Sequence, residues 1–106
     1  MFMTMRTYRV RSGSIDAAMH RVDRDLAEAI AQEPGFIAYQ VAQTGPRTVA
    51  AVTTFREREQ AEASNELAAE WVADALADFE VERMGVIGGE VMVSRAIADM
   101  LEPAHH

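Results

Sequence analysis

The chain of 106 residues contains no cysteine, and this absence excludes several kinds of site. Without thiols there is no disulfide framework, no cysteine-ligated iron–sulfur cluster and no thiolate zinc site. Long apolar runs are also missing, since no window approaches the roughly 20 apolar residues of a transmembrane helix. The first residues do not resemble a secretion signal. We therefore expect a cytoplasmic protein that does not enter a membrane.

Excess positive charge is missing too, because 17 acidic residues against 10 basic ones give a net charge of −7. A protein that binds nucleic acid normally presents a basic face to the phosphates. The basic cluster of Arg6, Arg9 and Arg11 alternates along one predicted strand. We interpret it as solvent-facing and edge positions with local ion pairs. Nucleic acid is therefore not an expected partner.

What is present is the composition of an ordinary globular domain, with 49% hydrophobic and 25% charged residues. The length suits a single domain. Residues 3–11 are rich in strand formers and predict the first strand. An apolar stripe at helical spacing begins at Ile15, with Ser14 as the N-cap, and Pro34-Gly35 ends this helix. The first third of the chain therefore predicts a strand followed by a helix.

The rest of the chain predicts a hairpin, a second helix and a last strand. The predicted elements are strands over 36–42 and 48–55, a helix from about Glu57 to Asp78, and a strand from Val86 to Ser94. The turn at Gly45-Pro46 joins the first two strands as an antiparallel hairpin. Residues 80–85 are expected to connect the helix to the last strand, with a bulge or bend at Gly88-Gly89.

The predicted order is therefore β-α-β-β-α-β, which is the α+β ferredoxin-like order of a four-stranded antiparallel sheet with two helices on one face. We assign residues 1–96 to this single domain and residues 97–106 to a C-terminal tail. His105 and His106 in that tail are either native or a vector remnant, and we exclude them from the candidate sites.

The strand sequences also indicate what covers the face of the sheet that the helices leave open. A sheet with water on one face alternates apolar and polar residues. Here Ile37 and Val41 on one face and Phe36 and Ala38 on the other are all apolar, so neither face is clearly polar. We expect the sheet of a second copy to cover the open face, which would make the protein a homodimer.

Several motifs carry a family resemblance. They are Pro34-Gly35-Phe36 before the second strand, Phe55 closing the third, Ser64-Asn65 and Trp71-Val72 on the second helix, and residues 89–93 in the last strand. From roughly Met5 to Ala96 the chain resembles the antibiotic biosynthesis monooxygenase-like family of dimeric α+β barrel proteins, and within it an uncharacterised bacterial subgroup. The resemblance implies a homodimer with a small-molecule cavity between sheet and helices of each subunit.

The resemblance also suggests site residues. Some polyketide-oxidising members use an Asn, a Trp, a Tyr and an Arg without metal or flavin. By this likeness the catalytic candidates are Asn65, Trp71 and Tyr39, and the substrate-binding candidates are Ser64, Arg83 and Arg6. Helical spacing turns Asn65 toward the sheet. A structural interpretation stays open, in which Asn65 bonds to backbone or a strand side chain and Trp71 is a core wedge.

Other chemistries lack their residues. There is no phosphate-binding glycine loop, no Ser-His-acid set and no converging set of acids for a metal, and His20 is expected to face water. Haem degradation is not expected either, because the first strand has Thr7 and Tyr8 where the haem-degrading relatives have an Asn.

Two hypotheses therefore remain. One is a cofactor-independent monooxygenase of a small aromatic resembling a quinone precursor, and the other is a non-catalytic ligand-binding or stress-associated homodimer. No ionisable group with a shifted pKa is expected in the pocket, which slightly favours the second.

Overall fold

The structure is a computed structural model that describes residues 1–97. Its sheet is antiparallel throughout, with the strand order β2-β3-β1-β4. The strands are β1 (Phe2–Val10), β2 (Phe36–Gln43), β3 (Thr48–Phe55) and β4 (Val81–Glu90). Two helices pack on one face, so the chain has the predicted ferredoxin-like fold.

The first helix is continuous but not uniform. It comprises α1 (Ile15–Arg21), a π-helical stretch (Val22–Leu26) and α2 (Ala27–Ala31). The hydroxyl of Ser14 accepts a hydrogen bond from the Ala17 N–H at 3.2 Å, which is the predicted N-cap. The apolar stripe is buried against the sheet through Ile15, Ala18, Val22, Leu26 and Ile30.

The second helix, α3 (Arg58–Ala75), begins with a capping box. The side chain of Gln60 accepts a hydrogen bond from the Glu57 N–H at 3.1 Å, and the Glu57 side chain caps the helix in return. Gly35 lies beside this cap with a φ of +79°, and a Cβ at Gly35 would collide with the Gln60 side chain. The Pro-Gly turn therefore serves two purposes, ending the first helix and making room for the start of the second.

The last strand differs from its prediction. β4 begins at Val81 and ends at Glu90, whereas a strand from Val86 to Ser94 was expected, and the segment 80–85 is largely strand rather than a connection. The register with β1 shifts at Met84, so the bulge lies there and not at Gly88-Gly89. The reason is that β4 is an edge strand paired with β1 along its whole length, and such a strand can carry exposed charged residues.

The preceding helix is also shorter than predicted. It ends at Ala75 rather than Asp78, and a 3₁₀ turn (Ala77–Phe79) follows. Phe79 is buried. The short turn lets this ring reach the core while the chain reverses into β4.

The face of the sheet opposite the helices mixes apolar and polar side chains, because strand alternation and register place Arg9, Gln40 and Thr48 on it as well. Strand alternation and register place Met5, Val52 and Ile87 on it as cross-strand neighbours. Ile87 is 67% exposed and Met3, on the same face, is 38% exposed. The predicted absence of a polar face therefore holds only around these apolar residues.

Of the predicted tail 97–106, residues 98–106 lie outside the described residues, and His105 and His106 are among them. Within residues 1–97, no helix combines the length and apolar character needed to cross a membrane.

Candidate functional site

A small cavity of about 30 Å³ lies between the sheet and the two helices, and we call it the inner cavity. Its walls are largely aliphatic, with Met19, Val22 and Leu26 from the first helix and Val72 and Leu76 from α3. A buried water needs at least about 10–15 Å³ measured this way, so the inner cavity has room for roughly two water-sized molecules. The polar side chains that line it are Arg6, Tyr8 and Tyr39.

Arg6 is the most unusual of these residues, because its side chain is completely buried. Its Nη2 donates a hydrogen bond to the Thr53 hydroxyl at 3.0 Å, while Nε and Nη1 have no partner in the part of the chain that the structure describes. Among residues 1–97 no carboxylate forms an ion pair with it. A buried charge without a partner is costly, by several kcal/mol or more, and native proteins seldom keep one without a function.

The expectation that Arg6 is solvent-facing or at an edge is therefore wrong, although Arg9 and Arg11 of the same cluster are exposed and Arg11 pairs with Glu82. The physical reason is strand alternation. Arg6 lies on the same face of β1 as Tyr8 and Val10, and that face packs under the helices.

Tyr39 is the second polar residue of the inner cavity. Burial raises the pKa of Tyr39 to about 12, although the positive charge of Arg6 acts in the opposite direction. The Tyr39 hydroxyl therefore stays protonated at neutral pH and can donate a hydrogen bond, but it cannot serve as a base. The prediction that the pocket holds no ionisable group with a shifted pKa is wrong on this point.

The pKa of Tyr39 predicts a loss of stability in alkali. The unfolded chain releases this proton near pH 10, whereas the folded chain keeps it until about pH 12, so stability falls as pH rises through this range. The expected loss is about 2–3 kcal/mol. Chemical denaturation at pH 9 and above measures it, and Tyr39→Phe should lack this part of the decline.

The sequence makes that titration easy to follow, because the chain has 2 tyrosines and neither cysteine nor lysine to titrate in the same range. Tyrosinate absorbance should show a late phase that Tyr39→Phe removes. If Tyr39→Phe instead removes a phase near pH 10, the burial of this hydroxyl in solution is disproved.

A second space lies at the surface next to the inner cavity, and we call it the outer cleft. Its volume is about 150 Å³, and its lining residues are Tyr8, Ala69, Val72, Ala73, Val81 and Arg83. Tyr8, Val72 and Val81 line both spaces, so the two spaces adjoin at these side chains. Arg83 is exposed and is the charged residue of the outer cleft.

The structure divides the predicted site residues into two groups. Arg6 and Tyr39 share the inner cavity, and Arg83 lies in the adjacent outer cleft. Asn65, Ser64 and Trp71 line neither space.

Each residue of the second group has a local structural contact. Asn65 turns toward the sheet and accepts a hydrogen bond from the Thr4 hydroxyl at 3.2 Å. Ser64 is buried and donates to the Ala61 carbonyl at 2.7 Å within its own helix. Trp71 is half-buried and packs against the core.

The family to which these elements belong can now be stated. The model of the antibiotic biosynthesis monooxygenase family matches residues 1–71. The chain belongs to this family. Residues 1–71 include β1 with Arg6 and the hairpin with Tyr39, so the polar residues of the inner cavity fall within the matched part. No curated protein matches the chain in sequence.

Solved structures with the same fold include proposed members of this family. One such protein from Deinococcus radiodurans is 19% identical with a TM-score of 0.68, over 92% of this chain and 98% of that one. HapK from Hahella chejuensis is 16% identical with a TM-score of 0.67, over 92% and 99% of the two chains. A dimeric ferredoxin-like protein from an uncultured marine organism is 13% identical with a TM-score of 0.68, over 91% and 98%. At these identities the likeness concerns the fold.

Within this family member, Tyr8 and Thr53 are site residues that the sequence analysis did not propose. The Tyr8 side chain borders both spaces, and the Thr53 hydroxyl accepts a hydrogen bond from Arg6. Tyr8 could have been identified from the alternation of side chains along β1, because alternation places residues 4, 6, 8 and 10 on one face. Among residues 1–97 no group of three or more His, Asp or Glu side chains could hold a metal ion.

Proposed function

We propose that the protein is a monooxygenase that oxidises a small, one-ring hydroxylated aromatic, with the substrate itself reducing dioxygen. The observation that carries the proposal is the buried Arg6 guanidinium, whose Nε and Nη1 are unpaired beside the inner cavity. A fixed cation in a buried cavity of low polarity stabilises negative charge that develops during a reaction. Membership of the antibiotic biosynthesis monooxygenase family supports the reaction class.

The two volumes favour different occupants. An apolar cavity of about 150 Å³ can hold one benzene ring, which is the size of the outer cleft. The inner cavity, at about 30 Å³, is too small for a ring but has room for a diatomic molecule. In the proposal, the ring lies in the outer cleft with its reacting edge toward the inner cavity, and dioxygen occupies the inner cavity.

The charge on Arg6 acts on two anions in this arrangement. It favours the ionised form of the substrate hydroxyl, which is the form that gives up electrons, and it stabilises the reduced oxygen species formed next to it. One oxygen atom then becomes a new ring carbonyl. The ring hydrogen and the hydroxyl hydrogen leave with the other oxygen atom as water. The substrate supplies all four electrons, so the reaction needs no external reductant, and Tyr39 donates a hydrogen bond to the developing anion.

The residues outside the two spaces receive positioning roles in the proposal. Through Thr4, Asn65 steadies the segment of β1 that carries Arg6, since Thr4 is the second residue before Arg6 on the same face. The hydrogen bond from Ser64 to the Ala61 carbonyl stabilises the turn of α3 next to Asn65. Trp71 packs against the core and so fixes the adjacent Val72 at the cavity.

Oxygen uptake tests the proposal. With a panel of one-ring hydroxylated quinone precursors, the wild type should consume one dioxygen per quinone formed. Asn65→Ala should lower the rate several-fold, since it removes one hydrogen bond worth about 1 kcal/mol. Glu66→Ala, an exposed change on the same helix, is the matched control and should leave the rate unchanged. No uptake with any precursor, or equal rates in wild type and Asn65→Ala, would contradict the assignment.

A second function is favoured by one feature of the lining. The residues around both spaces include no histidine, aspartate or glutamate, so no side chain there can act as a general base at neutral pH. This composition suits a non-catalytic ligand-binding protein. Tight binding of an aromatic without oxygen uptake would favour that function over the monooxygenase.

We also propose that the working form is a homodimer that pairs through the open face of the sheet. The support is the exposed apolar surface around Met5, Val52 and Ile87, together with the dimeric state of one protein of the same fold. Exposed apolar surface of this kind is typical of an interface.

A further inference from the structure

The charged residues around the two spaces are all of one sign. The chain has 17 acidic residues and a net charge of −7, yet the charged side chains that line the inner cavity and the outer cleft are Arg6 and Arg83, without a carboxylate. In a protein with this excess of acid, a lining with cations alone points to a ligand with negative charge.

Arg83 lies on the helix side of β4, directly opposite Tyr8 in the β1–β4 register. Arg6 is two residues from Tyr8 on the same face of β1, so Tyr8 has one arginine beside it on its own strand and another opposite it on β4.

Within residues 1–97, Arg83 has no counter-ion, because no ion pair there includes it and the neighbouring carboxylate of Glu82 pairs with Arg11. The remaining lining of the outer cleft is aliphatic apart from Tyr8, so a ring that fills the cleft would bring any substituent at its outer end close to the Arg83 guanidinium.

We propose that Arg83 and the outer cleft form a subsite for an acidic substituent, so that the substrate is a one-ring hydroxylated aromatic carboxylate. The carboxylate binds at Arg83, the ring packs against Tyr8 and Val72, and the hydroxyl end points toward Arg6. The orientation of the hydroxyl rests on the proposed function, whereas the acidic subsite itself requires only binding.

The test uses dihydroxybenzoate and its uncharged analogue dihydroxybenzamide, with affinities measured by calorimetry under nitrogen so that no turnover occurs. The acid should bind wild type about three- to fivefold tighter than the amide, the range of an exposed charge pair. Added salt should reduce this preference. Arg83→Gln should abolish it, and Arg83→Lys, which keeps the charge, should retain most of it.

Arg56→Gln is the matched control, because Arg56 is also an exposed arginine but lies outside both spaces. It should leave the preference intact. Equal affinities for acid and amide, an unchanged preference in Arg83→Gln, or no binding of either compound would overturn the acidic subsite.

Oxygen uptake, measured separately, distinguishes this proposal from the proposed function. If the acid is preferred through Arg83 but no oxygen is consumed, the acidic subsite is supported and the monooxygenase function is contradicted. If oxygen uptake is equally fast for acid and amide, in both wild type and Arg83→Gln, the monooxygenase function is supported and the acidic subsite is contradicted.

Discussion

Arg6→Met is expected to raise the melting temperature of the protein and to abolish its oxygen uptake. Arg6 is completely buried, and within residues 1–97 its Nε and Nη1 have no partner. Folding therefore removes the charge from water at a cost in free energy that no ion pair offsets. Methionine has a flexible apolar side chain that can follow the same course between the inner cavity and Thr53. Replacing buried charges by apolar residues of similar volume often stabilises a protein by about 1–4 kcal/mol.

One loss partly offsets this gain. The Thr53 hydroxyl is buried and would lose its hydrogen bond to Arg6, at a cost of about 1–3 kcal/mol. At the middle of both ranges the net gain is about 0.5 kcal/mol. In a domain of this size, where 1 kcal/mol shifts the melting temperature by about 4–8 °C, this is a rise of about 2–4 °C. The double variant Arg6→Met with Thr53→Val removes the unpaired hydroxyl as well and should be more stable than Arg6→Met alone.

Thermal unfolding followed by circular dichroism measures the stability, and oxygen uptake with the substrate found for the wild type measures the activity. Arg6→Lys is the control, because it keeps a buried charge and should not gain stability. A melting temperature that falls in both Arg6→Met and the double variant would show that the charge stabilises the fold, and the functional interpretation of Arg6 would then fail.

The position of Arg6 also shows what limited the sequence analysis. The parity of β1 groups Arg6 with Tyr8 and Val10, and the burial of those two residues would have placed Arg6 inside. Arginine is almost never fully buried without a partner, so the neighbouring Arg9 and Arg11 favoured a solvated cluster. The general preference of arginine for exposure was therefore given more weight than the alternation, and it failed at Arg6, for which we propose a functional role.

Asn65 illustrates a different limit. Helical periodicity correctly turned this side chain toward the sheet, where it contacts Thr4. Periodicity gives the direction about the helix axis, but it does not say which strand residue lies opposite. The inner cavity meets α3 at Val72, seven residues further along, which is about 10 Å of helix. The order of the elements could be predicted because it depends on local patterns, whereas the contacts of the site depend on how the helix lies across the strands.

The bounds of β4 depended on tertiary pairing in the same way. Its first residues, Glu82 and Arg83, are poor strand formers on a local scale. Pairing with Arg9 and Tyr8 of β1 nevertheless extends the strand to Val81. This extension places Arg83 beside Tyr8. Because residues 80–85 were predicted to be a connecting segment, this contact in the outer cleft was not predicted.

Ile87→Glu is expected to convert the proposed homodimer into a folded monomer. The Ile87 side chain is 67% exposed in the single chain, so an acidic residue there should cost the monomer little. In the proposed dimer Ile87 lies with Met5 and Val52 on the face that meets the partner. Two-fold pairing would then bury an unpaired carboxylate from each copy, and one uncompensated buried charge costs about 3–5 kcal/mol. The dissociation constant should rise by at least about a hundredfold.

Light scattering coupled to size exclusion, at micromolar concentration, measures the mass of each variant. Ala63→Glu provides the matched control, because it adds the same charge at an exposed position of α3, on the side of the molecule away from the open face. Wild type and Ala63→Glu should both be dimers, and circular dichroism should show that Ile87→Glu keeps its fold. A monomeric wild type would contradict the proposed homodimer. An Ile87→Glu variant that remains dimeric would place the interface elsewhere on the molecule.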